Sequence, residues 1–599
     1  MDPGLRNVAI IAHVDHGKTT LVDGLFREAG QLGRAGAGAD RLLDRHDLER
    51  ERGITILSKN ASVLWKGIRI NLIDTPGHAD FGGQVERVLG MADGCLLLVD
   101  AFEGPMPQTR FVLRKAFEAG LRPVVVLNKM DRPEARPEAV QDLLFELFVD
   151  LGAEDLALEH PLLYASAREG WASRRPRPEA PGFAPLLDAI LEEVPAPRDS
   201  AAGPLQFQVS TLDWDDYVGR IGIGRVRRGI LRRGEEVAWV LNEGGRRRGR
   251  IKELSRFEGL DRVPVEAVEA GDIAAVAGLE GLGLGDTLCD LETVEPLPPI
   301  RVEPPTVEME FRINDGPLAG REGERVTARQ VQERLLRAGH MDPALRVTVA
   351  GEGTWRVAGR GLLHLGILVE NMRREGYEFC VGPPRVLERV HEGRRQEPWE
   401  EVRIETPEDS LGRLLEFFGG RGARVQAIES RRGRAWIHLE IPTRGMIGAR
   451  TQVLSLSRGE AVVHAVPAGF RPCGGDLQLR RNGSLVCTET GRATAYALRQ
   501  MEDRGVFYVG PGDPVYQGMV VGENSREGDL EVNLVRSRKL SNMRSANKDI
   551  DEKIRAARRP GLESFLELAA ADELLEVTPA SLRLRKRHLD PQVRKRLAR

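Results

Sequence analysis

The sequence predicts a multidomain chain of α/β and β architecture. An α/β phosphate-binding domain comes first, then a small antiparallel β-barrel, two ferredoxin-like α+β domains and a mostly β C-terminal domain with a basic loop. Three observations predict this. Short apolar runs alternate with helical stretches over the first 200 residues, as in a doubly wound parallel sheet. The loop Ala12-His13-Val14-Asp15-His16-Gly17-Lys18-Thr19-Thr20 lies between such a run and a helix. Further on, the order strand, helix, strand, strand, helix, strand occurs twice.

At 599 residues the chain exceeds what one core can hold. Charged residues at 30% and apolar residues at 41% fit a globular protein and argue against a disordered one. Five cysteines, Cys95, Cys289, Cys380, Cys473 and Cys487, lie far apart without C-x-x-C spacing. That argues against a disulfide framework or zinc site and fits a reducing cytoplasm. Met1-Asp2-Pro3-Gly4 does not open a signal peptide, and no apolar run reaches membrane-spanning length. Net charge is −3, but residues 532–599 carry 17 Lys and Arg against 9 Asp and Glu. A basic tail on an acidic body suggests contact with a polyanion.

In the first domain, strands are expected at Val8–Ala12, Ile70–Asp74, Cys95–Asp100, Val124–Asn128 and Leu162–Ala165. Ligands bind such sheets at the carboxyl ends of the strands. The loop from Asp15 through His16, Gly17, Lys18, Thr19 and Thr20 points backbone N–H groups and a helix N-terminus at one spot, which makes a phosphate cradle. Lys18 reaches the outer phosphates, and the Thr19 hydroxyl is suited to Mg²⁺. Ala12 stands where the pattern usually has glycine, where a positive φ would be strained. Thr55, in Arg52-Gly53-Ile54-Thr55, is placed to close on Mg²⁺ and the γ-phosphate. In Asp74-Thr75-Pro76-Gly77-His78, Asp74 holds Mg²⁺ through water, the Gly77 N–H bonds the γ-phosphate and His78 positions the attacking water. In Asn128-Lys129-Met130-Asp131, a carboxylate accepts the N1–H and amino group of guanine, a face adenine lacks. Ser166-Ala167 offers a backbone N–H to guanine O6.

This ordered set resembles the translational GTPases, and the resemblance covers the whole nucleotide domain. It implies that His78 is the catalytic residue and that Val14 and Ile54 form a hydrophobic gate beside the water. The Ala12 departure is shared with the elongation factor G-like branch.

A Pro-rich charged stretch follows at Trp171–Pro185, then a helix at Leu186–Val194 and a linker at 195–203. The domains are expected at 1–200 (nucleotide), 204–295 (barrel), 303–385 and 398–470 (ferredoxin-like) and 471–599 (C-terminal). In the family the barrel is the translation-factor barrel that meets the small ribosomal subunit. The first ferredoxin-like unit has helices at Glu324–Ala338 and Leu362–Glu375, and the second at Ser410–Gly419 and Ile447–Ser457. Neither unit carries a catalytic constellation.

The basic loop holds Arg538, Lys539, Asn542, Arg544 and Lys548, and a second cluster holds Arg585, Lys586 and Arg587. Both suit phosphate and 2′-OH contacts on folded RNA. Thr443–Gly448, Gly518–Arg526, Lys539–Arg544 and Leu582–Arg587 look like those of the BipA/TypA GTPases, and the resemblance runs nearly end to end along the chain. The segment Ser545–Ile550 and the stretch Trp171–Pro181 depart from that pattern. The resemblance implies a monomeric cytoplasmic GTPase that binds Mg²⁺ and GTP or GDP and meets both ribosomal subunits, rRNA and tRNA. It implies ribosome-stimulated hydrolysis in large-subunit assembly and in translation under stress or cold. Two alternatives stay open: an elongation-type factor acting on tRNA position, and a nucleotide-gated RNA-binding module sensing guanosine tetraphosphate.

Overall fold

A computed structural model describes residues 4–13, 15–30, 59–76, 82–178, 180–215, 217–300, 304–431, 433–475, 477, 482–537 and 555–597. The chain forms two compact units, Met1–Glu303 and Pro304–Arg599.

Unit 1 opens with β1 (Leu5–Ala12), α1 (Lys18–Glu28), β2 (Asn60–Trp65), β3 (Ile68–Asp74), α2 (Gly82–Leu89), β4 (Gly94–Asp100) and α3 (Pro107–Glu118). It continues with β5 (Pro123–Asn128), α4 (Pro137–Asp150), β6 (Leu162–Ser166), β7 (Trp171–Ser173) and α5 (Ala184–Glu193). The sheet order is β2-β3-β1-β4-β5-β6-β7. The five inner strands are parallel, and β2 and β7 pair antiparallel at the edges. Strand β4 is buried throughout and apolar up to its last residue, Asp100, as a strand covered on both faces must be. Helices α1 and α5 pack on one face, and α2, α3 and α4 on the other. The five strands expected from sequence are all present, within two or three residues at each end. The edge strands were not legible, because a three-residue strand opening a Pro-rich stretch has no period to read. Trp171, Ala172 and Ser173 are nonetheless buried against β6.

The barrel comprises β8 (Gln206–Asp215), β9 (Gly219–Arg228), β10 (Glu236–Val240), β11 (Arg246–Arg250), β12 (Glu253–Glu258), β13 (Asp261–Pro264), β14 (Ile273–Ala277) and β15 (Thr287–Cys289). Its order is β11-β10-β15-β8-β9-β14-β12-β13, antiparallel throughout. Ile221, Ile223, Phe257 and Ile273 of the barrel share a core with α2–α4. Polar bonds fix this interface. Asn7 Nδ2 donates to Asp93 at 2.8 Å and to Gly271 O at 2.9 Å. Asp272 accepts from Arg69 at 2.8 Å and Asn71 at 2.9 Å.

Unit 2 opens with β16 (Val307–Ile313), α6 (Ala328–Met341), β17 (Arg346–Gly351), β18 (Thr354–Gly359), α7 (Leu362–Arg374) and β19 (Phe379–Val381). Helix α6 starts four residues later than the apolar spacing suggests, because Thr327 and Gln330 form a capping box there. Next come β20 (Arg394–Pro407), α8 (Leu411–Gly419), β21 (Arg424–Arg431), β22 (Arg434–Pro442), α9 (Ala449–Leu456) and β23 (Val462–Pro472). Gly448, at φ 73°, separates α9 from a short turn at Thr443–Met446, so the helix begins two residues late. The orders β17-β18-β16-β19 and β21-β22-β20-β23 are both ferredoxin-like.

The final part has a sheet of β24 (Ser484–Cys487), β25 (Gly505–Phe507), β26 (Val520–Asn524) and β27 (Leu530–Val532). Helix α10 (Leu562–Leu568) follows, then the hairpin β28 (Glu573–Val577) and β29 (Leu582–Lys586). Strand β28 pairs with β19, not with β24–β27, so the hairpin extends the first ferredoxin-like sheet. Sequence spacing carries no sign of a partner strand roughly two hundred residues away.

Candidate nucleotide site

The phosphate loop folds as its residues require. Positive φ falls on Asp15 (62°) and Gly17 (90°), and Ala12 does not adopt it. Alanine is therefore tolerated at the first position without strain. Gly17 is needed twice over. Its φ is left-handed, and a Cβ there would lie 2.4 Å from Asn128 Nδ2. The amide occupying that space donates to His16 O at 2.8 Å. Its Oδ1 accepts from the Ala167 N–H at 2.9 Å. Asn128 thus ties the phosphate loop to the loop after β6.

At the phosphate end, Lys18 Nζ is 2.6 Å from Asp74 and donates to Thr75 O at 3.2 Å. The Thr75 hydroxyl donates to Ile10 O at 2.6 Å and so clamps the end of β3 to β1. Thr19, in the first turn of α1, lies on the same loop. At the base end, Ser166 Oγ donates to Asp131 Oδ1 at 2.7 Å, and the Met130 N–H donates to Ala165 O at 3.1 Å. That fixes the Asp131 carboxylate beside Ala167. Lys129 has φ 65°, and its Nζ is 2.6 Å from the buried Asp100. Burial opposes charge on Asp100, but the bond from Lys129 and the N–H groups of Phe102 and Glu103 outweigh it and lower its pKa.

The structure therefore brings Asp15, His16, Gly17, Lys18, Thr19, Thr20, Asp74, Asn128, Lys129, Met130, Asp131, Ser166 and Ala167 to one end of the sheet. His16 contributes through its backbone, since its ring is fully buried, with the Asp100 N–H 3.3 Å from Nδ1 and Glu103 3.5 Å from Nε2. Asp100 and Glu103 were missed from sequence. The only signal was a polar residue at the end of an apolar strand. Val14, Ile54, Thr55, Gly77 and His78 lie outside the described residues, as do Arg538, Lys539, Asn542, Arg544 and Lys548.

The second basic cluster is a correction. Arg585 and Lys586 are buried, each 1% exposed, and do not present their charges to a partner. Arg585 pairs with Asp315 and with Glu576 at 3.2 Å. Lys586 Nζ lies 2.5 Å from Asp529, 3.0 Å from Asp572 and 3.0 Å from Glu573. Arg587 forms a two-pronged pair with Glu310 at 2.8 and 3.2 Å. A buried cation needs such partners, and these bonds fix the β28–β29 hairpin in its sheet.

Comparison with known proteins agrees with this geometry. Residues 4–196 match the elongation factor Tu GTP binding domain, 219–289 elongation factor Tu domain 2, and 394–481 the elongation factor G C-terminus. Residues 482–591 match the TypA/BipA C-terminal domain. The chain is 48% identical over 597 residues to the large ribosomal subunit assembly factor BipA of Bacillus subtilis, covering 99% of this chain and 98% of that one. It is 45% identical over 597 residues to the protein of that name from Escherichia coli K12, again covering 99% and 98%. The chain belongs to the TypA/BipA family. As a member of that family it is a translational GTPase, an enzyme that hydrolyses GTP. A solved structure from Thermus thermophilus shares the fold at a TM-score of 0.54 and 19% identity, covering 79% of this chain and 97% of its own. Packing explains the Thr443–Gly448 stretch. Arg421 donates to Gly445 O at 2.9 Å and Ile447 O at 2.6 Å, and a Cβ on Gly445 would lie 2.6 Å from Arg421 O. That motif is a packing device. Among the described residues no helix is long and apolar enough to cross a membrane.

Proposed function

We propose that this TypA/BipA chain is a GTP-driven switch of the cytoplasm that acts as a monomer on the ribosome in assembly of the large subunit. The observation that carries the switch is the Lys18–Asp74 contact beneath a loop held by Asn128. A γ-phosphate competes with Asp74 for Lys18, so nucleotide arrival rearranges the end of β3. The ribosomal role is supported by full-length similarity to proteins named large ribosomal subunit assembly factor.

The donor set at the phosphate end, one hydroxyl and one carboxylate, is hard oxygen of the kind Mg²⁺ takes. Thr19, Asp74 and Thr55 would hold the ion, which would neutralise phosphate charge. Lys18 binds the outer phosphates, and the Gly77 N–H accompanies it. His78 aligns water between Val14 and Ile54. Asp131 selects guanine, and the Ala167 N–H, which donates to Asn128 Oδ1 in this structure, is the group proposed to be shared with O6. Arg538, Lys539, Asn542, Arg544 and Lys548 are the side chains proposed to meet rRNA.

The test is co-sedimentation with large-subunit precursors in the presence of a non-hydrolysable GTP analogue or GDP. Binding with the analogue alone, and ribosome-stimulated turnover lost in His78→Ala with GTP affinity kept, is the expected result. Equal binding in both nucleotides removes the switch. A chain cut before the basic loop would also lose β28 and β29, so Lys539→Ala with Arg544→Ala is the sharper probe of RNA contact.

A further inference from the structure

The nucleotide domain and the barrel enclose a cavity of about 270 Å³. Its walls include Glu86 and Arg87 of α2, Ser210 of β8, Arg225 and Arg227 of β9, and Ile300. The charges are unevenly compensated. Glu86 is held by Lys115 Nζ at 2.9 Å. Arg225 is buried and fully engaged, by Asp93 at 2.8 Å, by Met91 O at 3.0 Å and by Asp199. Arg227 donates to Gly90 O, and the nearest carboxylate among the described residues, Asp199, is 4.0 Å away. Burial lowers the pKa of Arg227, and the neighbouring Arg225 pushes it the same way. Its charge would gain from an anion. Ser210 is the extra residue of a β-bulge between Val209 and Thr211. Bulges turn a side chain out of the strand's alternation and are enriched beside binding sites. Ser210 is buried, and its hydroxyl has no hydrogen-bond partner among the described residues.

We propose that this cavity is a second ligand site, which takes the phosphate group of a small phosphorylated metabolite between Arg227 and Ser210. The guanidinium supplies a two-pronged, charge-assisted contact and Ser210 a hydroxyl donor. The volume lies just below the usual range for ligand pockets, which suits a sugar phosphate better than a nucleoside triphosphate. The site is separate from the phosphate loop and does not depend on the role proposed for it.

The experiment follows the ³¹P line width of inorganic phosphate titrated into the full chain. A non-hydrolysable GTP analogue fills the nucleotide site, including its γ position, and its binding is verified in the same sample. Saturable broadening is expected. Apparent affinity should fall roughly tenfold in Arg227→Gln and about threefold in Arg227→Lys, which keeps the charge but loses the two-pronged geometry. It should fall about threefold in Ser210→Ala, which leaves the fold intact. Arg248→Gln, on an exposed strand of the barrel, should change nothing. No broadening in the wild-type chain, or equal broadening in Arg227→Gln and Ser210→Ala, overturns the proposal.

Discussion

Lys18 and Lys586 are two mostly buried lysines with opposite uses. The Lys18 side chain is 11% exposed at the loop proposed to receive phosphate, and among the described residues its carboxylate partner is Asp74, which a phosphate is proposed to replace. The Lys586 side chain is 2% exposed and has three carboxylates within 3.0 Å, contributed by Asp529, Asp572 and Glu573. No ligand can displace all three. In sequence both lysines stand in short polar motifs, and the one in the more basic motif is the structural one. Local basicity therefore reports a surface only when the acidic partners are not elsewhere in the chain.

The comparison can be broken first at Glu576, which is fully buried between Arg585 and the Tyr516 hydroxyl, 2.8 Å away. Burial raises its pKa, yet it is the shared partner of Arg585 and, at 3.8 Å, Arg583. Glu576→Ala should destabilise unit 2 by about 3–5 kcal/mol, read by denaturant unfolding, with GTP affinity unchanged. Gly17→Ala should do the reverse. The clash with Asn128 and the left-handed backbone should lower GTP affinity by roughly a hundredfold in a filter-binding assay, with a smaller change in unfolding. Asp131→Asn should move preference from GTP to XTP in competition binding. Unchanged preference would remove Asp131 from base selection.

The nucleotide site was legible because its parts are contiguous. Among the described residues, the stretches ending in Asp74, Asn128 and Ser166 each sit at the end of one strand, and a parallel sheet gathers strand ends. What was illegible depends on distant partners. Asn128 holding Ala167, Asp100 holding Lys129, and β28 beside β19 are pairings that no local spacing records. Helix boundaries shifted for the same kind of reason, with Thr327 and Gly448 overriding the apolar period.

Smaller effects sharpen the account. The folded-state pKa of Asp100 is lowered, so its stabilising contribution is present above the ordinary aspartate value of 3.8 and lost as pH falls through the lower folded value. Asp100→Asn should flatten that part of an acid-unfolding curve. Arg329, paired with Glu333 at 2.8 Å on the exposed side of α6, should be the least sensitive. Arg329→Ala is expected to leave denaturant unfolding essentially unchanged.

The most direct measurement sets Lys18→Met beside Lys586→Met, with GTP titration and thermal unfolding on both. The account predicts that Lys18→Met loses GTP binding with the smaller fall in Tm, and that Lys586→Met loses several degrees of Tm with GTP affinity intact. A Lys586→Met chain that keeps its Tm but no longer binds the ribosome would contradict it, because the tail lysine would then be a contact and not a structural ion.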